Sequence, residues 1–235
     1  MLIVSNLWVK AGEKRVLSGV DLKVKSGELV VLFGPNGCGK TSLLKTIMGL
    51  SAYEVVDGDI SFEGKSVLTK TIDERSRLGI SLMYQKPPKV IGVKMEQVLG
   101  RDEELIKRLS VEHFLKRNLN EGLSGGEIKR SEMYQMIRMN SKLYLFDEPD
   151  SGVDVENMVI LANQINKLMK DKSKSVILVT HGGQILKYLK ADRAMVMLSG
   201  KIVCYGDMDR VFDAITRVGY KKCVGCKCRG RICEE

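Results

Sequence analysis

The chain of 235 residues has one tryptophan, two histidines and an aromatic share of only 6%. So few aromatics leave no interleaved stacking platform for single-stranded nucleic acid. The formal charge of +9 then reads as a lysine-rich solvated surface, and nucleic acid is not expected as a partner. No apolar run approaches the roughly 20 residues that span a bilayer. Direct membrane insertion is therefore not expected, and any membrane role runs through a partner. Residues 1–6 put no basic stretch ahead of an apolar one, so they do not read as a secretory signal. The six cysteines are split unevenly and form no secreted disulfide framework. A reducing, cytoplasmic setting fits them.

What the chain does have is Gly34-Pro35-Asn36-Gly37-Cys38-Gly39-Lys40-Thr41, which fits G-x-x-x-x-G-K-[ST]. The flanks supply the context that this pattern needs. Residues 28–33 are a near-continuous apolar run, the signature of a strand buried on both faces. Ser42 to Met48 has helical spacing and stops at Gly49. In a strand, glycine loop and helix, successive backbone N–H groups face one anion and the helix adds its positive end. Lys40 brings a full positive charge to the outer phosphates. Thr41 offers a hydroxyl to Mg²⁺, which prefers hard oxygen ligands.

Around this stretch, residues 1–33 read as short strands with turns at Gly12 and Ser26-Gly27. Asp57-Gly58-Asp59 reads as a turn before a strand at 60–62. A strand at 80–84 ends at Gln85, before Pro87-Pro88 forces the chain out of regular structure. Residues 93–122 carry helical apolar spacing, and about 87–139 reads as a mostly helical insertion. Ser124 is a natural N-cap for a helix opening with Gly125-Gly126, which makes a second anion-binding helix start. Leu143 to Glu148 is an apolar strand ending in two carboxylates. That order places Asp147 for the Mg²⁺ shell and Glu148 for water. His181 follows the apolar strand 175–180, at the sheet edge where Gly34 and Asp147 stand.

In this order these pieces resemble the ATP-binding-cassette ATPases, over residues 1 to about 220. Leu123-Ser-Gly-Gly-Glu127 between the other two nucleotide motifs is the specific element. A narrower likeness lies in 122–133, 147–154 and 179–186, with Tyr53-Glu54-Val55, residues 88–93 and Gly219-Tyr220. These resemble the ATPase of the Suf iron–sulfur cluster assembly system, as does Asp150 where transporter ATPases usually carry a small residue. The resemblance implies a P-loop α/β core with a mixed sheet, an N-terminal antiparallel β subdomain and an inserted helical subdomain. It implies ATP and Mg²⁺ as ligands and a head-to-tail homodimer formed with ATP. The phosphates would lie on residues 34–42, Ser42 included, and under Ser124, Gly125 and Gly126 of the other copy. Thr41, Gln85 and Asp147 would serve Mg²⁺. Glu148 would polarise water, His181 would sense the γ-phosphate, and Asp154 would link the two sites. The implied partner is a Suf-type scaffold, and a membrane permease is the alternative. A genome-maintenance ATPase would need a long coiled-coil insertion, which is missing.

Two departures stand out. Ala11 occupies the region where many members place an adenine-stacking aromatic, and Trp8 falls on the opposite strand face by alternation. Cys38 replaces the commoner serine or alanine, which suggests a site sensitive to oxidation. Beyond the cassette, residues 221–235 form a basic tail with Cys223, Cys226, Cys228 and Cys233. Four thiols suffice for zinc or an iron–sulfur cluster, and free thiols are the other reading.

Overall fold

Strand β3 (Leu29–Phe33) is buried at all five positions, so it must have a protein layer on each face. Leu29, Val31 and Phe33 join one apolar cluster, while Val30 and Leu32 join another. The same alternation recurs in the two strands that follow it in space. One is β9 (Leu143–Asp147) and the other β10 (Ser175–Val179). A continuous apolar run is what a central parallel strand requires.

The computed structural model describes residues 1–85 and 87–220. The chain opens with β1 (Leu2–Ala11) and β2 (Lys14–Val24), then β3 and helix α1 (Lys40–Met48). Next come β4 (Glu54–Phe62), β5 (Lys65–Ser66), α2 (Ile72–Arg77) and β6 (Ile80–Met83). The middle holds β7 (Val90–Lys94), α3 (Met95–Leu99), α4 (Glu103–Leu109), β8 (Asn118–Leu119) and α5 (Gly125–Arg138). After β9 come α6 (Val155–Leu168), β10, β11 (Arg193–Leu198), β12 (Lys201–Gly206) and α7 (Met208–Val218).

A six-stranded sheet runs β12-β11-β3-β10-β9-β6, and a four-stranded antiparallel sheet runs β2-β1-β4-β5. The pairs β11–β3, β3–β10, β10–β9 and β9–β6 are parallel, and β11–β12 is antiparallel. This is the mixed sheet with an antiparallel β unit that the resemblance implies. The core on one face of the large sheet includes α1 and the β1–β2–β4 layer. The core on the other face includes α4, α5, α6 and α7.

Three local expectations change. Gly58 lies inside β4 and not in a turn before it. The pairing of β1 with β4 slips between Ser5 and Trp8, and a Cβ at Gly58 would stand 2.3 Å from the Asn6 carbonyl oxygen. Glycine there permits a bulge, not a reversal. The apolar spacing over 93–122 does not make one helix. It is divided among β7, α3, α4, a 3₁₀ turn at Glu112–Phe114, and β8. Gly100 and the left-handed Ser110 punctuate it. Finally, α7 has no counterpart in the sequence reading. Asp207 caps it by accepting from the amides of Asp209 and Arg210, and its Phe212 ring lies 5.8 Å from that of Phe33.

Candidate nucleotide site

The phosphate loop leaves the carboxyl end of β3 and is pressed between two neighbours. Gly39 has φ +112°, and a Cβ there would stand 2.9 Å from the Val16 carbonyl oxygen. The Gly200 amide donates to the Cys38 carbonyl at 2.8 Å, tying the loop to the β11–β12 hairpin. Helix α1 has no side-chain cap and no acidic residue in its first turn. Its leading N–H groups are therefore left for an anion. Lys40 is 5% exposed, and its ammonium donates to the carbonyls of Gly34 at 2.7 Å and Pro35 at 3.0 Å. An ammonium has three donors, so one remains for a phosphate oxygen.

The C-terminus of α1 is also fixed. The Arg75 guanidinium is buried and donates to the carbonyls of Thr46 and Ile47, each at 2.9 Å. It also donates to Lys70 at 3.0 Å and Leu68 at 3.2 Å. A cation on the last carbonyls suits the negative end of the helix. Sequence reasoning missed Arg75. Its only signal is a basic residue in a short, polar helix.

At the end of β9, the Asp147 carboxylate is 1% exposed. One oxygen accepts from the Thr41 hydroxyl at 3.0 Å, and the other, Oδ2, is buried without a hydrogen-bond partner. Burial pushes its pKa up, and the Thr41 bond opposes that. An unpaired buried carboxylate oxygen beside a hydroxyl is costly unless a cation completes it. The donor set Thr41, Gln85 and Asp147 is hard oxygen, which fits Mg²⁺.

Glu148 has φ +51°, an uncommon conformation for a residue with a side chain. Its amide donates to Val179 O at 3.0 Å, which holds it there. Its Oε2 accepts from the Gln85 amide at 2.7 Å. Asn36, Gly37, Gly39, Lys40, Thr41, Ser42, Gln85 and Glu148 together line a cavity of about 270 Å³.

Ser124, Gly125, Gly126 and Asp154 do not line that cavity. Ser124 caps α5, with Glu127 Oε2 accepting from the Ser124 amide at 2.8 Å. That bond holds the Glu127 carboxyl below its usual pKa. A Cβ at Gly126 would lie 2.4 Å from Asn157 Nδ2. Asn157 in turn donates its amide N–H and its side chain to Asp154 at 2.8 and 2.7 Å. The chain thus gathers two separate groups: residues 36–42 with Gln85, Asp147 and Glu148, and Ser124–Gly126 with Asp154. His181 is exposed just after β10 and lines neither. Beside it, Thr180 Oγ1 donates to Asp150 at 2.8 Å and accepts from the Gly183 amide at 3.0 Å. That contact, unseen in the sequence, ties Asp150 to the turn carrying His181.

The oxidation-prone Cys38 is corrected. Its side chain is buried among the apolar residues behind the loop, and burial pushes its thiol pKa up, away from the reactive thiolate. Trp8 is also occupied locally. Its indole N–H donates to Asn6 at 2.9 Å, and the Arg15 guanidinium lies 5.2 Å over its ring. Cys223, Cys226, Cys228 and Cys233 lie outside the described residues. Among the described residues, no three His, Cys, Asp or Glu side chains group as a metal site, and no helix could cross a membrane.

The family profile described as "ABC transporter" matches residues 17–151. The "Probable ATP-dependent transporter ycf16" of Pyropia yezoensis is 37% identical, covering 94% of this chain and 96% of its own length. A "Probable ABC transporter ATP-binding protein" of Streptococcus pyogenes serotype M18 is 35% identical, covering 88% and 89%. A nucleotide-free ATP-binding cassette from an ABC transporter shares the fold with TM-score 0.80 at 23% identity, over 95% of this chain and 98% of that one. A dimeric cassette bound to ADP and Pi aligns with TM-score 0.75 at 21% identity, over 88% and 99%. Such matches, on a loop and carboxylate pair already suited to a magnesium–triphosphate, make this chain an ATP-binding ATPase of the ABC transporter family.

Proposed function

We propose that the chain powers iron–sulfur cluster assembly, hydrolysing ATP in a cytoplasmic complex with a Suf-type scaffold. The observation that carries the coupling is a groove of about 500 Å³ beside Gln85. Pro87, Pro88, Leu119, Met136, Ile72 and Met139 line it, and the last two remain 39% and 47% exposed. Apolar side chains left open beside a nucleotide-sensing glutamine suit a partner surface. The iron–sulfur load rests on the sequence blocks 122–133, 147–154 and 179–186. The buried Cys38 thiol, outside any disulfide, accords with a reducing compartment.

In this reading two copies pair head to tail around two ATP molecules. Lys40 and the backbone of residues 34–42 hold the phosphates. Ser124, Gly125 and Gly126 of the second copy close over the γ-phosphate with the positive end of α5. The separation of these two groups within one chain supports the pairing, as does the dimeric state of the cassette bound to ADP and Pi. Thr41, Gln85 and Asp147 would hold Mg²⁺, which neutralises charge on the phosphate oxygens when bound. Glu148 accepts the proton of the attacking water once the Gln85 amide releases its Oε2. His181 holds the γ-phosphate and registers its loss. Asp154 relays one site to the other across the dimer.

The names of the relatives favour a second reading, the ATP-binding subunit of a membrane transporter. Tagged chain is purified from its own cells and its partner identified by mass spectrometry. A soluble β-rich scaffold released by Ile72→Asp supports the first reading. A permease released by the same change establishes the second.

A further inference from the structure

Helix α5 carries two charged residues, Lys129 and Glu132, on its buried face at 4% and 5% exposure. The nucleotide chemistry described above assigns them nothing. Their Nζ and Oε2 lie 3.8 Å apart, and Glu132 Oε2 is buried without a hydrogen-bond partner. A buried ion pair is weak evidence for stability, because desolvation offsets its attraction. Where the two side chains end is more informative. Glu132 Oε1 accepts from the Tyr84 amide at 3.1 Å. Lys129 Nζ donates to the Tyr84 carbonyl at 2.7 Å and the Gln85 carbonyl at 3.4 Å.

The amide and the carbonyl of Tyr84 are thus held by side chains three positions apart on one helix. β6 is an edge strand and Tyr84 lies just past its end, so no ladder holds these groups. A second tie lies further along. Ser131 Oγ donates to Asn120 Oδ1 at 3.1 Å, and Asn120 Nδ2 donates to the Pro88 carbonyl at 3.1 Å. Tyr84 and Pro88 are therefore each tied to α5, and Gln85 follows Tyr84 directly.

We infer that Glu132, acting with Lys129, is a positioning residue for ATP hydrolysis: it fastens the Tyr84–Gln85 backbone to α5, so the helix that begins at Ser124 sets where the Gln85 side chain stands against Glu148. The inference rests on the roles proposed above for Gln85 and Glu148. Glu132 does not line the nucleotide cavity. It acts through the backbone that carries Gln85.

The test compares Glu132→Ala with Glu132→Gln in the full chain. Glutamine keeps an oxygen for the Tyr84 amide, and alanine does not. We expect Glu132→Ala to lower kcat at least tenfold with KM for ATP within twofold of the parent. Glu132→Gln should recover at least half of the parental kcat. Hydrogen exchange followed by mass spectrometry provides a readout independent of turnover. The Tyr84 amide should exchange at least tenfold faster in Glu132→Ala than in the parent, with α5 amides unchanged. Parental kcat in a folded Glu132→Ala protein, equal impairment of both variants, or unchanged Tyr84 exchange overturns the inference. If Glu132→Ala does not fold, Glu132→Gln decides: it must keep parental Tyr84 exchange and at least half of kcat. A parent without ATPase activity refutes the roles of Gln85 and Glu148, while the exchange measurement still judges the fastening.

Discussion

Gly37 and Gly39 both adopt positive φ in the phosphate loop, at +76° and +112°, but their surroundings differ. A Cβ at Gly37 would meet nothing within 4 Å. At Gly39 it would meet Val16 O at 2.9 Å, a Leu17 methyl at 3.1 Å and Met197 Sδ at 3.3 Å. Gly37→Ala therefore costs only the left-handed backbone, about 1 kcal/mol. Gly39→Ala adds a contact under 3 Å with a backbone carbonyl, that of Val16, for a total of about 3 kcal/mol. For a chain of this size, each kcal/mol lowers Tm by roughly 2–4 °C. The expected drops are then about 2–4 °C for Gly37→Ala and about 6–12 °C for Gly39→Ala. Differential scanning calorimetry without nucleotide reads both, at equal protein concentration. Equal drops, or a larger one for Gly37→Ala, would refute the claim that contact at Gly39 shapes the loop.

Glu148→Gln removes the base but keeps the shape of the side chain, so kcat should fall at least 100-fold while ATP still binds; single-turnover hydrolysis within threefold of the parent would remove Glu148 from that role. With ATP and Mg²⁺ the same variant should sediment as a dimer, and without nucleotide as a monomer. Arg75→Ala strips four carbonyls of a buried cationic donor and should cost about 3 kcal/mol by urea unfolding; a loss under 1 kcal/mol would show that α1 needs no such cap. Iodoacetamide at pH 8 should leave Cys38 unlabelled in the native chain and label it fully in guanidinium, as mapped by peptide mass. Equal labelling in both would contradict its burial.

The parallel core was readable because burial on both faces writes itself as unbroken apolar runs, as in Leu29–Phe33 and Leu143–Phe146. The loop was readable because phosphate binding needs glycine and lysine at fixed spacing. The middle of the chain was less so. Its apolar residues serve several short elements that meet one core, and helical spacing over 93–122 does not record where Gly100 and Ser110 break the run. Gly58 illustrates a similar ambiguity, since a glycine between aspartates spells a turn and a bulge alike. At the site, identity was readable but contact was not. Asp150 with Thr180, Arg75 under α1, and Lys129 with Glu132 on Tyr84 join residues 29–48 positions apart in the chain.

The same distinction bears on what the ATPase drives. Gln85 touches Glu148 on one side and opens the stretch that lines the apolar groove on the other. In the proposed reading, a partner pressing on Pro87 or Pro88 acts on Glu148 through Gln85, without contacting the phosphates. In that reading, changes to the groove alter which partner stimulates hydrolysis while leaving Lys40, Thr41 and Asp147 untouched. An Ile72→Asp substitution should abolish stimulation by the partner and leave the unstimulated rate within twofold. If the unstimulated rate collapsed as well, groove and phosphate site would be one structural unit, and the load could not be read separately from the engine.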